Sequence, residues 1–132
     1  MNFLNGKLIT GNSSHLLFDE GCIRIPLPAS YQDLLHGYAG KEVVFGIRPE
    51  DVHDPETLGP GVQVAEIMAR VEVVEPMGSE VFLHLTTGKS SFVARVDPLH
   101  MPVVDQEVRL AVEIAKSHFF DKDTQKSLFQ RI

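Results

Sequence analysis

An all-β chain with one short helix is the fold this sequence predicts, and three observations carry the prediction. Apolar residues alternate with polar ones along most of the chain, the period of a strand with one face toward a core. Turn residues interrupt that alternation at close intervals, the pattern of a barrel or a sandwich. Only one stretch has helical spacing. A length of 132 residues fits one ordinary domain, and 43% hydrophobic residues supply a core.

The first strands expected are short: Gly6–Ile9, Leu16–Phe18 and Cys22–Ile25. Gly11-Asn12-Ser13-Ser14 and Asp19-Glu20-Gly21 separate them as turns. Tyr31, Leu34, Leu35 and Tyr38 then recur at helical spacing and predict one apolar face. Ser30 is the expected cap, with Asp33 three residues on, and Gly37 or Gly40 the expected end. In a small barrel such a helix plugs an open end. Val43, Phe45 and Ile47 form the next inward row, ended by Pro49, which has no amide hydrogen to continue a ladder.

His53–Gly61 holds two prolines and two glycines and reads as a loop. Beyond it, Ile67, Ala69, Val71 and Val73 predict a strand, Pro76-Met77-Gly78-Ser79 a turn, and Val81, Leu83 and Leu85 the returning strand. Thr87-Gly88 turns again into Phe92–Asp97, and Val108, Leu110, Val112 and Ile114 form a late strand. Val43, Phe45, Ile47, Val71, Val73, Val81, Leu83, Leu85, Val108, Leu110 and Val112 are the expected core. Neither half has strands enough to close a core alone. The expectation is one domain over 1–132, with lobes 1–52 and 62–132 interlocked across the loop 53–61 and no internal repeat.

Eighteen acidic against twelve basic residues give a net charge of −6. Basic residues are scattered, so a phosphate backbone is repelled and nucleic acid is not an expected partner. There is no Trp for base stacking. Cys22 is the only cysteine, which excludes an internal disulfide and suits a reducing compartment. It is expected to be a packed or strand-edge residue. Met1–Thr10 lacks the pattern of a signal peptide, and no run approaches the roughly 20 apolar residues of a membrane helix.

Catalytic motifs are absent. Gly88-Lys89-Ser90 echoes the end of a phosphate-binding loop, but Leu83 stands where that loop needs its first glycine. The tripeptide also falls between two predicted strands, so it reads as a hairpin tip. His15, His36, His53, His84, His100 and His118 form no close pair, and no metal site is expected. No nucleophile elbow occurs. Arg48 carries a planar guanidinium suited to a carboxylate such as that of Glu50, a clamp at the lobe junction. Gly78 and Ser79 are turn residues, with Gly78 supplying positive φ.

Four stretches, in order and at matching spacing, carry a resemblance. Phe45-Gly46-Ile47-Arg48-Pro49-Glu50-Asp51-Val52 resembles a Gly-Ile-Arg-Pro-Glu-Asp signature, and Val71-Glu72-Val73-Val74-Glu75-Pro76-Met77-Gly78-Ser79-Glu80 a strand and turn. Phe92-Val93-Ala94-Arg95-Val96-Asp97-Pro98 and His118-Phe119-Phe120-Asp121 resemble two further motifs. All belong to the C-terminal regulatory (TOBE, OB-like) domain of maltose-type or glycerol-3-phosphate-type sugar ABC importer ATP-binding subunits. Met1-Asn2-Phe3 resembles the segment that follows the nucleotide-binding domain there. Two departures are Lys122 and Gln125, where the family has Pro and Gly; they predict an altered hairpin before a last strand around Leu128–Ile132.

The resemblance implies an OB-like β-barrel regulatory domain, its lobe 1–52 OB-like and its lobe 62–132 TOBE-like. It implies no catalysis and no cofactor for this chain, with ATP and Mg²⁺ belonging to a longer ATPase parent. It implies pairing with a second copy, contact with the parent's nucleotide-binding domain and through it with permease subunits, and regulatory proteins as further partners. The location implied is cytoplasmic, peripheral on the inner face of the membrane. Arg48, Pro49, Glu50, Asp51, Gly78, Ser79 and Glu80 are its structural or regulatory residues. The alternative is a small-anion module like those of oxyanion importers, using Thr86, Thr87, Lys89, Ser90 and Ser91. Met68, Phe82 and Val44, apolar on the outward parity, are the candidates for a pairing surface.

Overall fold

A computed structural model describes residues 1–11, 15–61, 63–98, 101–124 and 126–128. Among these, two five-stranded antiparallel sheets carry the chain. The first holds β1 (Asn2–Thr10), β2 (Leu16–Asp19), β3 (Arg24–Pro26), β4 (Glu42–Ile47) and β10 (His118–Asp121), in the order β10-β4-β1-β2-β3. The second holds β5 (Val52–His53), β6 (Val64–Met77), β7 (Glu80–Thr86), β8 (Ser91–Val96) and β9 (Glu107–Glu113), in the order β5-β9-β6-β7-β8. The sheets exchange ends. β5 leaves the first motif to pair with β9, and β10 returns from the far end of the chain to pair with β4. One hydrophobic cluster joins the inner faces of both.

Alternation does what the sequence predicts along β4, β7 and β8: Val43, Phe45, Ile47, Val81, Leu83, Leu85, Phe92 and Ala94 are all buried. Phe45 sits at the aromatic centre, stacked on Phe18 at 5.4 Å and edge-on to Phe119 at 5.2 Å. β1 runs well beyond the expected Gly6–Ile9, because its first residues pair with Ile47 and Gly46 of β4. Gly6 lies where β2 crosses closely. A Cβ there would fall 2.5 Å from the Asp19 carbonyl and 2.7 Å from the Phe18 ring.

Several expectations need correction. Val73 is 50% exposed, because a β-bulge between Val71 and Val73 shifts the pairing with β7 and reverses parity. Val74 takes the inward place and packs against the core, and Val108 is also only partly buried. The helix α1 (Ala29–Leu35) starts after Pro28, so Ser30 lies inside it and makes no cap. It buries Tyr31 and Leu35 but leaves Leu34 54% exposed, and a 3₁₀ turn at His36–Tyr38 follows it. Cys22 is exposed in the bend before β3, not packed within a strand.

The predicted loop is partly ordered: His53 belongs to β5, and Pro55–Thr57 forms a 3₁₀ turn under an Asp54 cap. After β10 the chain turns without the family's glycine. Asp121 Oδ1 accepts from the amides of Asp123 and Thr124, and Leu128 N donates to Phe119 O. Of the expected last strand, residues 129–132 lie outside the described ones.

Candidate functional site

Polar groups concentrate where the two sheets meet. Asn2 acts as a short piece of strand: its Nδ2 donates to Val93 O at 2.7 Å, and its Oδ1 accepts from Val93 N at 2.8 Å. Tyr31 Oη donates to Ile114 O at 3.0 Å, tying α1 to the end of the second sheet. Gln32 closes the base of α1 by accepting from Leu16 N and donating to the carbonyls of Leu16 and Leu27. Sequence reading found none of these three, because each polar group serves a partner distant in the chain or in another element.

The anion candidates lie on the β7–β8 hairpin, where Thr87 N donates to Ser90 O and Gly88 has φ of 101°. The hydroxyls of Thr87 and Ser90 are already engaged. The side chain of Glu20, in the β2–β3 turn, is fully buried against this tip. Its carboxylate accepts from Thr87 Oγ1 at 2.6 Å and from the amides of Cys22 and Ile23. Burial works to raise this carboxyl's pKa, but the hydroxyls of Ser90 and Thr87 and the two amides outweigh it and hold it below the ordinary range. Glu20 thus stands where an oxyanion would. Thr86 Oγ1 accepts from Gly88 N, Lys89 is exposed over Gly21, and Ser91 opens β8 opposite Thr86.

The Arg48–Asp51 motif forms a 3₁₀ turn at Pro49–Asp51, with Asp51 N bonded to Arg48 O. Arg48 and Glu50 are exposed, and among the described residues the Arg48 guanidinium makes no ion pair. The expected Arg48 clamp is therefore replaced. Asp51 is the buried member, and it faces β9: Lys116 Nζ lies 3.7 Å from Asp51 Oδ1 and 3.1 Å from Glu113 Oε2. His53 Nε2 lies 2.8 Å from Glu113 Oε1. Burial pushes the Glu113 carboxyl up, but the Lys116 ammonium and the neighbouring His53 more than offset it, so its pKa falls below the usual range.

Gly78 and Ser79 join β6 to β7 as a two-residue turn, with φ of 66° at Gly78. That is the geometry a type II′ hairpin requires. Glu80 lies near Arg95 at 3.7 Å, a surface pair of little weight. Met68, Phe82 and Val44 do not form one patch. Met68 is level with Arg109, Phe82 is level with Glu75 at the other end of β6, and Val44 lies in the first sheet. Val44 instead borders a different apolar face, where Met1, Phe3 and Phe120 surround Gly46. Phe3 is 57% exposed there and packs edge-on to Phe120.

Residues 1–52 match the family described as the MalK OB fold domain, and residues 45–120 match the TOBE domain. The chain belongs to the TOBE domain family. This TOBE chain is 35% identical over 127 residues to the oligosaccharides import ATP-binding protein MsmX of Bacillus subtilis (strain 168), covering 95% of the chain and 33% of MsmX. It is 36% identical over 133 residues to the trehalose/maltose import ATP-binding protein MalK of Thermococcus litoralis, covering 98% of the chain and 34% of that protein. It therefore spans about a third of the length of these curated relatives. A solved structure of the cytoplasmic molybdate-binding protein ModG, with molybdate bound, superposes with a TM-score of 0.62 at 13% identity, covering 89% of this chain and 94% of that one. At that identity the likeness is one of fold. Among the described residues no helix is long and apolar enough to cross a membrane.

Proposed function

We propose that this TOBE chain is the non-catalytic regulatory and dimerisation part of an ATP-binding subunit that powers import of carbohydrates or related solutes. One observation carries the reading: relatives named as sugar-import ATP-binding proteins align along 95% or more of the chain. The parent would bind ATP and Mg²⁺ through a nucleotide-binding domain, contact permease subunits through it, and work on the cytoplasmic face of the membrane. Regulatory proteins are further partners under this reading. The anion-module alternative has less support, since two of the hydroxyls it would use, those of Thr87 and Ser90, already serve Glu20.

Pairing with a second copy is supported by the apolar face of Met1, Phe3, Val44 and Phe120. A two-fold contact sets the same patch on both sides, so the exposed Phe3 ring beside the half-buried Phe120 can meet its own copy. Sedimentation equilibrium over a wide concentration range tests it. The expected result is weak self-association that Phe3→Glu abolishes; a monomer at the highest soluble concentration rejects pairing by this chain. Calorimetry with ATP tests the non-catalytic part. Micromolar binding with Gly88–Ser91 protected from exchange would overturn it.

A further inference from the structure

We propose that Asp51, His53 and Glu113 form a binding site for a divalent transition-metal ion of the zinc class. The backbone sets up the juxtaposition. β5 and β9 are antiparallel with Val52 opposite Val112 and His53 opposite Ala111. Asp51 ends the 3₁₀ turn just before β5, and Glu113 follows Val112 at the end of β9. Val52 and Val112 are buried, so the residues flanking them present their side chains on the other side of the ribbon. One imidazole and two carboxylates thereby come together, each offering a ligand atom within 4.8 Å of the others.

Two like charges brought together repel, and here neither is solvated as a surface group is: the side chains of Asp51 and Glu113 are 9% and 14% exposed. Such a pair calls for a cation. Lys116 supplies one only in part. Its ammonium reaches Glu113 at 3.1 Å, but at 3.7 Å from Asp51 it is beyond hydrogen-bond range, and its side chain is 60% exposed.

His53 is the second, independent observation. Its Nε2 atom is sealed from solvent and lies 2.8 Å from Glu113 Oε1. That separation is also the one two ligands on a single ion show. With metal–nitrogen and metal–oxygen bonds of about 2.0–2.2 Å, neighbouring ligand atoms stand roughly 3 Å apart. A mixed nitrogen and oxygen set suits zinc, cobalt or nickel better than calcium or magnesium, which take oxygen alone. The ion would displace the Lys116 ammonium and satisfy all three groups, with its remaining positions open to water.

Calorimetric titration of the 132-residue chain with zinc chloride at neutral pH is the test. The expected result is one ion bound, weakened at least about tenfold by His53→Gln and by Glu113→Gln, since even outer partners of a metal ligand are worth that much. Lys116→Met removes the competing ammonium and should tighten binding. Zinc uptake that is unchanged in His53→Gln and Glu113→Gln would place the ion on other histidines and overturn the site. So would the absence of saturable binding in both the wild-type chain and Lys116→Met. Should the substituted chains lose their β signal in circular dichroism, the imidazole resonances of the wild-type chain decide. His53 shifting first upholds the site, and another histidine shifting first refutes it.

Discussion

At the residue scale, Glu20 shows how one buried acid can close a binding tip from inside. Its carboxylate takes a hydroxyl from one sheet's hairpin and two amides from the other sheet's turn. Glu20→Ala would strand those donors without water to replace the oxygen, at about 1–3 kcal/mol in urea unfolding near pH 7. The pH dependence has a definite sign. Because the folded pKa lies below the unfolded one, Glu20 contributes its full stability above the unfolded value of about 4.3. The contribution fades as pH falls through the folded value. Glu20→Gln cannot titrate, so the stability gap between wild type and this variant should narrow from pH 6 down to pH 3. A gap that stays constant would mean the carboxylate is not held in its charged form by these donors.

At the scale of the element, parity is the quantity that sequence specifies best and that a single extra residue can reverse. β4 and β7 were legible because Val43, Phe45 and Ile47, or Val81, Leu83 and Leu85, keep step with the pleat throughout. In β6 the bulge after Val71 transfers the inward place from Val73 to Val74, and both are valines, so no composition signal marks the change. Val74→Ala should therefore cost about 1 kcal/mol and Val73→Ala less than about 0.5, measured as urea midpoints; the reverse order would place the bulge elsewhere. Phe45→Ala, in the aromatic centre, should cost about 3–5 kcal/mol. The candidate site was less legible than the strands. The Arg48–Asp51 motif was visible, but its working member is Asp51, whose partners Glu113 and Lys116 come from the far end of β9 and just beyond it. Asn2, Gln32 and the bond from Thr87 to Glu20 belong to the same class: they depend on how separate elements are folded together, which local periodicity does not encode.

For the whole molecule, the exchange of β5 and β10 between sheets decides how the chain unfolds. β5 depends on β9 for its pairing, and β10 brings Phe119 beneath Phe18 and Phe45 in the first sheet. Contacts of β1 with β8 and of β3 with β6 join the inner faces, and the hydrogen bonds of Asn2 and Glu20 cross the same seam. Opening either sheet alone would expose the apolar face of the other and break those bonds, so the partly open state has no compensating gain. The expected behaviour is one cooperative transition across both motifs. Phe45→Leu tests it with a small perturbation of about 1 kcal/mol, which keeps the fold populated. If both sheets share one unfolding event, the amides of the buried Leu83 and Leu85 in the second sheet should exchange about fivefold faster in Phe45→Leu. The amides of Leu4 and Leu8 in the first sheet should accelerate by the same factor. Acceleration confined to the first sheet would show two independent units, and the crossing strands would then be ties between folded bodies and not parts of one core.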